Sequence, residues 1–200
     1  YFAFQVDDVD ARQVRDDGAL MDVAMRDAAW GLGNLADESV LSAMQAQTAT
    51  GNALGAMTIG TGSVDAYDNL VDLSIKLDEN NVPRAGRWCV IPPFYHGWLQ
   101  KNANFVSYGT AANREDLENG IIGAASGMRI VVSNNLPSAG AGRNYVIAGH
   151  GDGVTYAEQI NSVEGYRPES AFSDAVKGLH LYGYKITRPY VLANADCISQ

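Results

Sequence analysis

Apolar residues recur along this 200-residue chain with two different periods, and each change of period marks an element. Phe2, Phe4 and Val6 alternate with Tyr1, Gln5 and Asp7, which predicts a half-buried strand. A helical period follows. Met21, Met25, Ala28, Leu32, Leu35, Val40 and Ala43 form one apolar stripe, and Asp22, Arg26, Asp37 and Glu38 supply the polar surface. Asp16 or Asp17 caps this helix, which runs to about Gln47 and is roughly 45 Å long at about 1.5 Å per residue. Gly31 and Gly33 lie inside it, each costing about 1 kcal/mol relative to Ala. They read either as points of close packing or bending, or as tolerated weak spots.

Residues 48–63 are rich in Thr, Gly and Ala and predict a connector with one short strand near Met57 to Ile59. Asp65 to Glu79 predicts a second amphipathic helix, with Tyr67, Leu70, Val71 and Leu77 inward and Asp72 paired with Lys76. Asn80-Asn81 and Pro83 stop that helix. Gly86 gives a turn, and Trp88, Cys89, Val90 and Ile91 form a short run of buried-strand type. Pro92-Pro93 ends the strand and opens another helix, on which Phe94 and Trp98, then Tyr95 and Leu99, share faces. Residues 107–119 read as a polar loop with a short turn from Arg114 to Asn119. Strands follow at Ile121-Ile122 and Met128 to Val132, and Ser138 to Arg143 reads as a flexible loop. Tyr145 to Ala148, Val154 to Ile160 and Ala175 to Lys185 complete a β-rich half. Helices and strands mix without a βαβ rhythm and without an internal repeat, so the fold class is α+β.

Composition narrows the classes. An apolar content of 46% suits one or two domains with a core, and ten Tyr against five Phe with 21 Gly favours strands and turns over a helical bundle. No run is long enough to span a membrane, and no N-terminal signal pattern is present. The net charge of −9 speaks against direct nucleic-acid binding by charge neutralisation, because the 14 Lys and Arg are few and scattered. Cys89, within an apolar strand, reads as a reduced core thiol; Cys197 is far from it in sequence.

The chemistry of an enzyme needs a constellation, and none is legible. His96, His150 and His180 lack partners at metal-ligand spacing. Gly149-His150-Gly151-Asp152-Gly153 lacks the GxGxxG spacing and precedes a strand rather than a helix. Gly123 to Gly127 does not have the GxSxG spacing. Asp7, Asp8, Asp10, Asp16 and Asp17 lack the alternating ligands and final Glu of a calcium loop, and read as a solvated charge run, part of it favouring the helix start. No catalytic, cofactor-binding or metal-binding residue is therefore assigned. The cluster Trp88, Phe94, Tyr95 and Trp98 leaves a small hydrolase or ligand-binding domain as a remote alternative.

Four strings carry a resemblance. LDENNVPRAGRWCVIPPFYHGWLQKNANFV (Leu77 to Val106), SNNLP (Ser133 to Pro137), AGHGDGVTYAEQI (Ala148 to Ile160) and YRPESAFSDAVKGLHLYGYKITRP (Tyr166 to Pro189) together resemble, in order, the major capsid proteins of tailed bacteriophages with the Hong Kong 97 type of fold. The resemblance covers nearly the whole chain and is looser from Tyr1 to Thr61. It implies a long spine helix, a peripheral (P) domain, a central (A) domain and an extended E-loop. Residues 1–15 would end the E-loop, 16–48 and 146–180 would form the peripheral domain, and 49–145 with 181–200 the central domain. Because Tyr1 is not an initiator Met and its strand would leave an open edge, the expectation is that an N-terminal arm is missing from this sequence, or that another subunit covers the edge.

The implied function is a structural shell protein that forms pentamers and hexamers and closes an icosahedral head around double-stranded DNA, without specific DNA binding and without cofactors. Its implied partners are itself, scaffolding and portal proteins and, as an option, a decoration protein. Its implied place is the virion, after assembly in the host bacterial cytoplasm. Phe2, Phe4, Val6, Asp7 and Asp8 are the candidate assembly contacts, through edge pairing with a neighbour. An encapsulin-like nanocompartment shell is the alternative. Some relatives weld subunits through a Lys-Asn isopeptide bond; Lys101 and Asn102 are present, but no motif marks them, and that activity is not carried over.

Overall fold

The computed structural model describes residues 1–7, 19–60, 63–101, 121–169 and 173–199. Strand β1 (Phe2–Asp7) precedes the long helix α1 (Ala19–Gln47), followed by β2 (Ala53–Ile59), α2 (Ala66–Glu79), β3 (Arg87–Ile91) and α3 (Pro93–Lys101). The rest is β: β4 (Ile121–Ala125), β5 (Met128–Val132), β6 (Ser138–Gly140), β7 (Arg143–His150), β8 (Val154–Tyr166), β9 (Ser173–Ile186) and β10 (Leu192–Ser199). Two compact units result. The first is Tyr1–Asp37 with Tyr156–Tyr184, and the second is Glu38–Thr155 with Lys185–Gln200.

The second unit is built on a mixed sheet in the order β2-β10-β7-β3-β5-β4, with β6 paired to β7. Strand alternation divides its side chains between two faces. On one face Cys89, Ile91, Met128, Ile130, Val146, Ala148, Ala193, Ala195 and Cys197 pack with Leu70, Leu73 and Leu77 of α2 and Tyr95 and Leu99 of α3. On the other, Trp88, Val90, Tyr145 and Ile147 pack with Leu41 and Met44 of α1 and with Leu136. Central strands covered on both faces need continuous apolar runs, and RWCVI and NYVIAG have them.

Helix α2 is capped by Asp65, whose side chain accepts the Tyr67 N–H, and it ends where Asn81 takes φ 55°. The expected Asp72–Lys76 pair is replaced: Lys76 Nζ meets Glu79 at 2.9 Å, one turn closer to the helix end. Arg87 locks the turn that follows. Its buried guanidinium donates to Asp78, to the Val82 carbonyl and, from Nε, to the Pro83 carbonyl at 3.0 Å.

Other expectations are corrected. The strand expected near Met57 starts at Ala53, because β10 pairs with it in parallel from Asn194 onward. Strand β10 itself was not foreseen, its apolar run being broken by Asn194 and Asp196. Residues 138–143 form a tight hairpin rather than a flexible loop: Gly140 pairs with Arg143 across Ala141 and Gly142, both at positive φ. In α1 the apolar stripe holds at Met21, Met25, Ala28 and Leu32, but Leu35 is exposed and Ala36 is buried in its place. The next buried position, Leu41, lies about 140° further round the helix, at about 100° per residue. A Cβ at Gly31 or Gly33 would meet nothing within 4 Å, so neither glycine serves close packing among the described residues. Cys89 and Cys197 are both free and buried. Asp8, Asp10, the capping Asp16 and Asp17, Asn102 and the 107–119 loop lie outside the described residues.

Candidate assembly surface

The first unit carries a three-stranded sheet in the order β1-β9-β8. β1 runs antiparallel to β9 with Phe2 opposite Gly178, Phe4 opposite Val176, Val6 opposite Asp174 and Asp7 opposite Ser173. The alternation expected from sequence is present: Phe2, Phe4 and Val6 are half-buried, and Ala3, Gln5 and Asp7 are exposed. The Phe2 and Phe4 rings stack with centroids 5.9 Å apart. A Cβ at Gly178 would fall within 3 Å of three atoms of the Phe2 ring, so only glycine allows this ring its seat. The three apolar candidates therefore pack on their own sheet, and Asp7 stands at the exposed end of the row.

β8 and β9 are joined by side-chain pairs whose numbers run in opposite directions, as antiparallel strands require. His180 Nε2 is 3.3 Å from Glu158, Lys177 Nζ is 3.0 Å from Glu164, and Arg167 Nε is 3.6 Å from Asp174. One face carries a row of rings: Tyr156 and Tyr182 stack at 6.1 Å, His180 and Tyr182 lie 5.2 Å apart, and Tyr182 and Tyr184 6.5 Å. Partial loss of solvation raises the Tyr156 phenol above its ordinary range, and the carboxylate of Glu158 adds to the shift. On the alternate positions of β9, Leu179 and Leu181 are each 46% exposed.

The two units differ sharply in what they bury. Among the described residues, ten of the exposed large hydrophobic side chains lie in the first unit: Trp30 is 73% exposed, Leu35 58% and Val163 56%, and Tyr166 also belongs to the set. Only Ile75 and Tyr190 belong to the second. Among the described residues the buried apolar side chains of the first unit are Ala36, Ala175 and Val176. Exposed apolar surface on this scale marks a surface meant to be covered. Sequence reasoning missed Trp30, Leu179 and Leu181. The signal was there in β9, where GLHLYGY is apolar or aromatic on both faces, but such a strand reads as buried within its own chain.

The aromatic cluster does not converge on a pocket. Trp88 packs on one face of the second unit's sheet, and Phe94, Tyr95 and Trp98 on the other. The buried Tyr95 hydroxyl is shared between the Ala66 carbonyl at 2.7 Å and Asn69 Oδ1 at 2.8 Å. Trp98 Nε1 donates to Ser199 at 3.2 Å, and Lys101 lies over its ring. His96 is held below the usual histidine range by loss of solvation, and its Nε2 is buried with no hydrogen-bond partner among the described residues. Among those residues no three His, Cys, Asp or Glu side chains gather as metal ligands, and no helix is long and apolar enough to cross a membrane.

A family model described as phage capsid protein matches residues 1–195. The chain belongs to the phage capsid protein family. This capsid protein is 30% identical to the chain of a solved structure from Mycobacterium phage Che8, over 97% of its own length and 68% of that chain, with a TM-score of 0.73. The capsid of Ralstonia phage GP4 matches at 11% identity over 100% of this chain and 72% of that one, with a TM-score of 0.74. The SrpI encapsulin of Synechococcus elongatus PCC 7942 matches at 12% identity over 98% and 71%, with a TM-score of 0.66. No curated protein sequence matches. The mixed α and β capsid fold expected from the four strings agrees with these matches, and the role is that of a structural major capsid protein.

Proposed function

We propose that many copies of this capsid protein associate through the first unit into pentamers and hexamers, which close an icosahedral head around the double-stranded DNA of a tailed phage. The observation that carries this reading is the concentration of exposed apolar side chains in a unit that, among the described residues, buries few of its own. Such a unit gains its core from neighbours. Burial of apolar surface contributes about 25 cal/mol per Å², so coverage of Trp30, Leu179 and Leu181 by other copies would supply the driving force. Peripheral and central domains would follow the boundaries 16–48 with 146–180 and 49–145 with 181–200, and residues 1–15 would end the E-loop. Phe2, Phe4, Val6, Asp7 and Asp8 would contribute through the free edge of β1. With a net charge of −9, the wall would contain DNA without gripping it. Scaffolding and portal proteins, and a decoration protein where one exists, complete the set of partners, and assembly takes place in the host bacterial cytoplasm.

The encapsulin match favours a second reading, a shell around protein cargo. Electron cryomicroscopy of particles from the native source, with extraction of their contents, separates the two. Closed shells holding DNA support the head, and shells holding enzyme support the compartment. A chain that stays monomeric at high concentration overturns both.

A further inference from the structure

The string Gly149 to Gly153, which carries no phosphate loop, places a histidine where three chain segments meet. His150 Nε2 lies 2.9 Å from the carbonyl oxygen of Ala85, in the turn before β3. Its Nδ1 accepts the Asp152 N–H at 3.2 Å and so caps the short helical turn Gly151–Gly153. A carbonyl can only accept and an amide can only donate, so the ring proton sits on Nε2 and Nδ1 is bare. Gly86, at φ 81°, brings the turn against the ring; a Cβ there would stand 3.3 Å from Nε2.

One charged group faces this ring, and a second faces that group. Asp152 Oδ2 is 3.5 Å from Nδ1, and Arg188 Nη1 is 3.7 Å from the same oxygen. Arg84, on the third segment, is turned toward Asp78 at 2.9 Å. The capped turn also ties two strands together. Gly153 O accepts the Thr187 N–H at 2.9 Å, and the Thr187 hydroxyl donates to Asp152 O at 2.9 Å. The start of β8 is thereby fastened to the residues just after β9, at the root of the two strands that continue into the first unit.

We propose that His150 is an acid-operated catch at this root. A proton taken from solvent onto Nδ1 points at the Asp152 N–H, so that hydrogen bond is lost. The new N–H turns to the Asp152 carboxylate and draws it from Arg188. The turn loses its cap, and the hold of Asp152 and Gly153 on Thr187 loosens. Histidine side chains as a class change charge between about pH 5 and 8, and the catch is tested across that interval. The proposal does not depend on what the shell encloses or on whether one forms.

The test is hydrogen exchange on the full chain at pH 5 and pH 8, corrected for intrinsic exchange and resolved for Asp152 and Thr187, beside the NMR titration of the His150 ring. Loss of one hydrogen bond predicts about a fivefold fall in protection of both amides at the lower pH, with the ring's own midpoint. His150→Asn keeps an acceptor near the Nδ1 position and cannot titrate, so its protection should not change with pH. His150→Ala lacks the acceptor and should be poorly protected at both. Equal protection at the two pH values in the natural chain, or a fall that survives in His150→Asn, overturns the proposal.

Discussion

The guanidinium of Arg87 stands 2.6 Å from the Asp78 carboxylate, yet the Arg87 side chain is 1% exposed and that of Asp78 35%. The cation is sealed and the anion is wet. The seal is tolerable because two carbonyls in the turn after α2, those of Val82 and Pro83, also accept from the guanidinium. Lys has neither the reach nor the planar fork to serve the carboxylate and two carbonyls together. Arg87→Lys and Arg87→Ala should each cost roughly 2–4 kcal/mol, as for loss of several hydrogen bonds to a charged group. Urea unfolding of the unassembled chain measures this; a cost near zero would show the turn to be held without the guanidinium.

The same pair sets an acid limit. Hydrogen bonds from Arg87, then Arg84, hold the Asp78 carboxyl below its ordinary value of 3.8. Its folded value is depressed, so its contribution is fully present above the unfolded value and is lost as pH falls through the folded one. Stability should therefore drop with falling pH below about pH 4. Asp78→Asn should be less stable at neutral pH and show a shallower fall across that window. Urea midpoints at pH 5, 4 and 3 give the comparison.

Gly178 leaves room for one ring and nothing more. Gly178→Val should expel Phe2 from its seat and unpair β1 from β9, with little effect on the second unit. Hydrogen exchange should rise in residues 1–7 and 173–178 while β7 and β10 keep their protection. A Phe2→Ala background should absorb much of the damage, since the clash is with that ring.

Gly33 faces open space in the isolated chain, so Gly33→Ala should stabilise α1 by about 0.8–1 kcal/mol. Thermal unfolding checks the sign. If the variant is more stable as free chain and yet fails to assemble, this helix face touches a neighbour in the particle.

Burial pushes the Cys197 thiol up to about 12, the charge of Asp196 adding to it, and raises Cys89 further still. Neither should react with iodoacetamide in the native chain at pH 8, and both should react in urea. Reaction of either without denaturant would mean that the second unit opens locally.

The helices and the central strands were legible in the sequence because each follows one rule at a time. Helix α2 has its cap, its apolar face and its stop signal, and RWCVI sits between a glycine turn and two prolines. β10 was hidden because Asn194 and Asp196 interrupt its apolar run. Their polar groups are met by the Gln45 carbonyl and by Arg143, contacts made across the fold rather than along the chain. The hairpin at Ala141-Gly142 was misjudged because small residues suggest freedom when two positive φ angles in fact define a tight turn. Leu179 and Leu181 could be placed on a strand but not on a surface. Periodicity says which side chains share a face, and not whether that face is covered by the same chain.

The pairing order has a consequence for synthesis. β1 is made before β9 and must wait for it, while β10, made later still, enters the interior of its sheet between β2 and β7. A nascent chain that has not yet delivered residues 173–199 can complete neither sheet. Contacts this distant in sequence form slowly, so both sheets close only after residues 173–199 have been made.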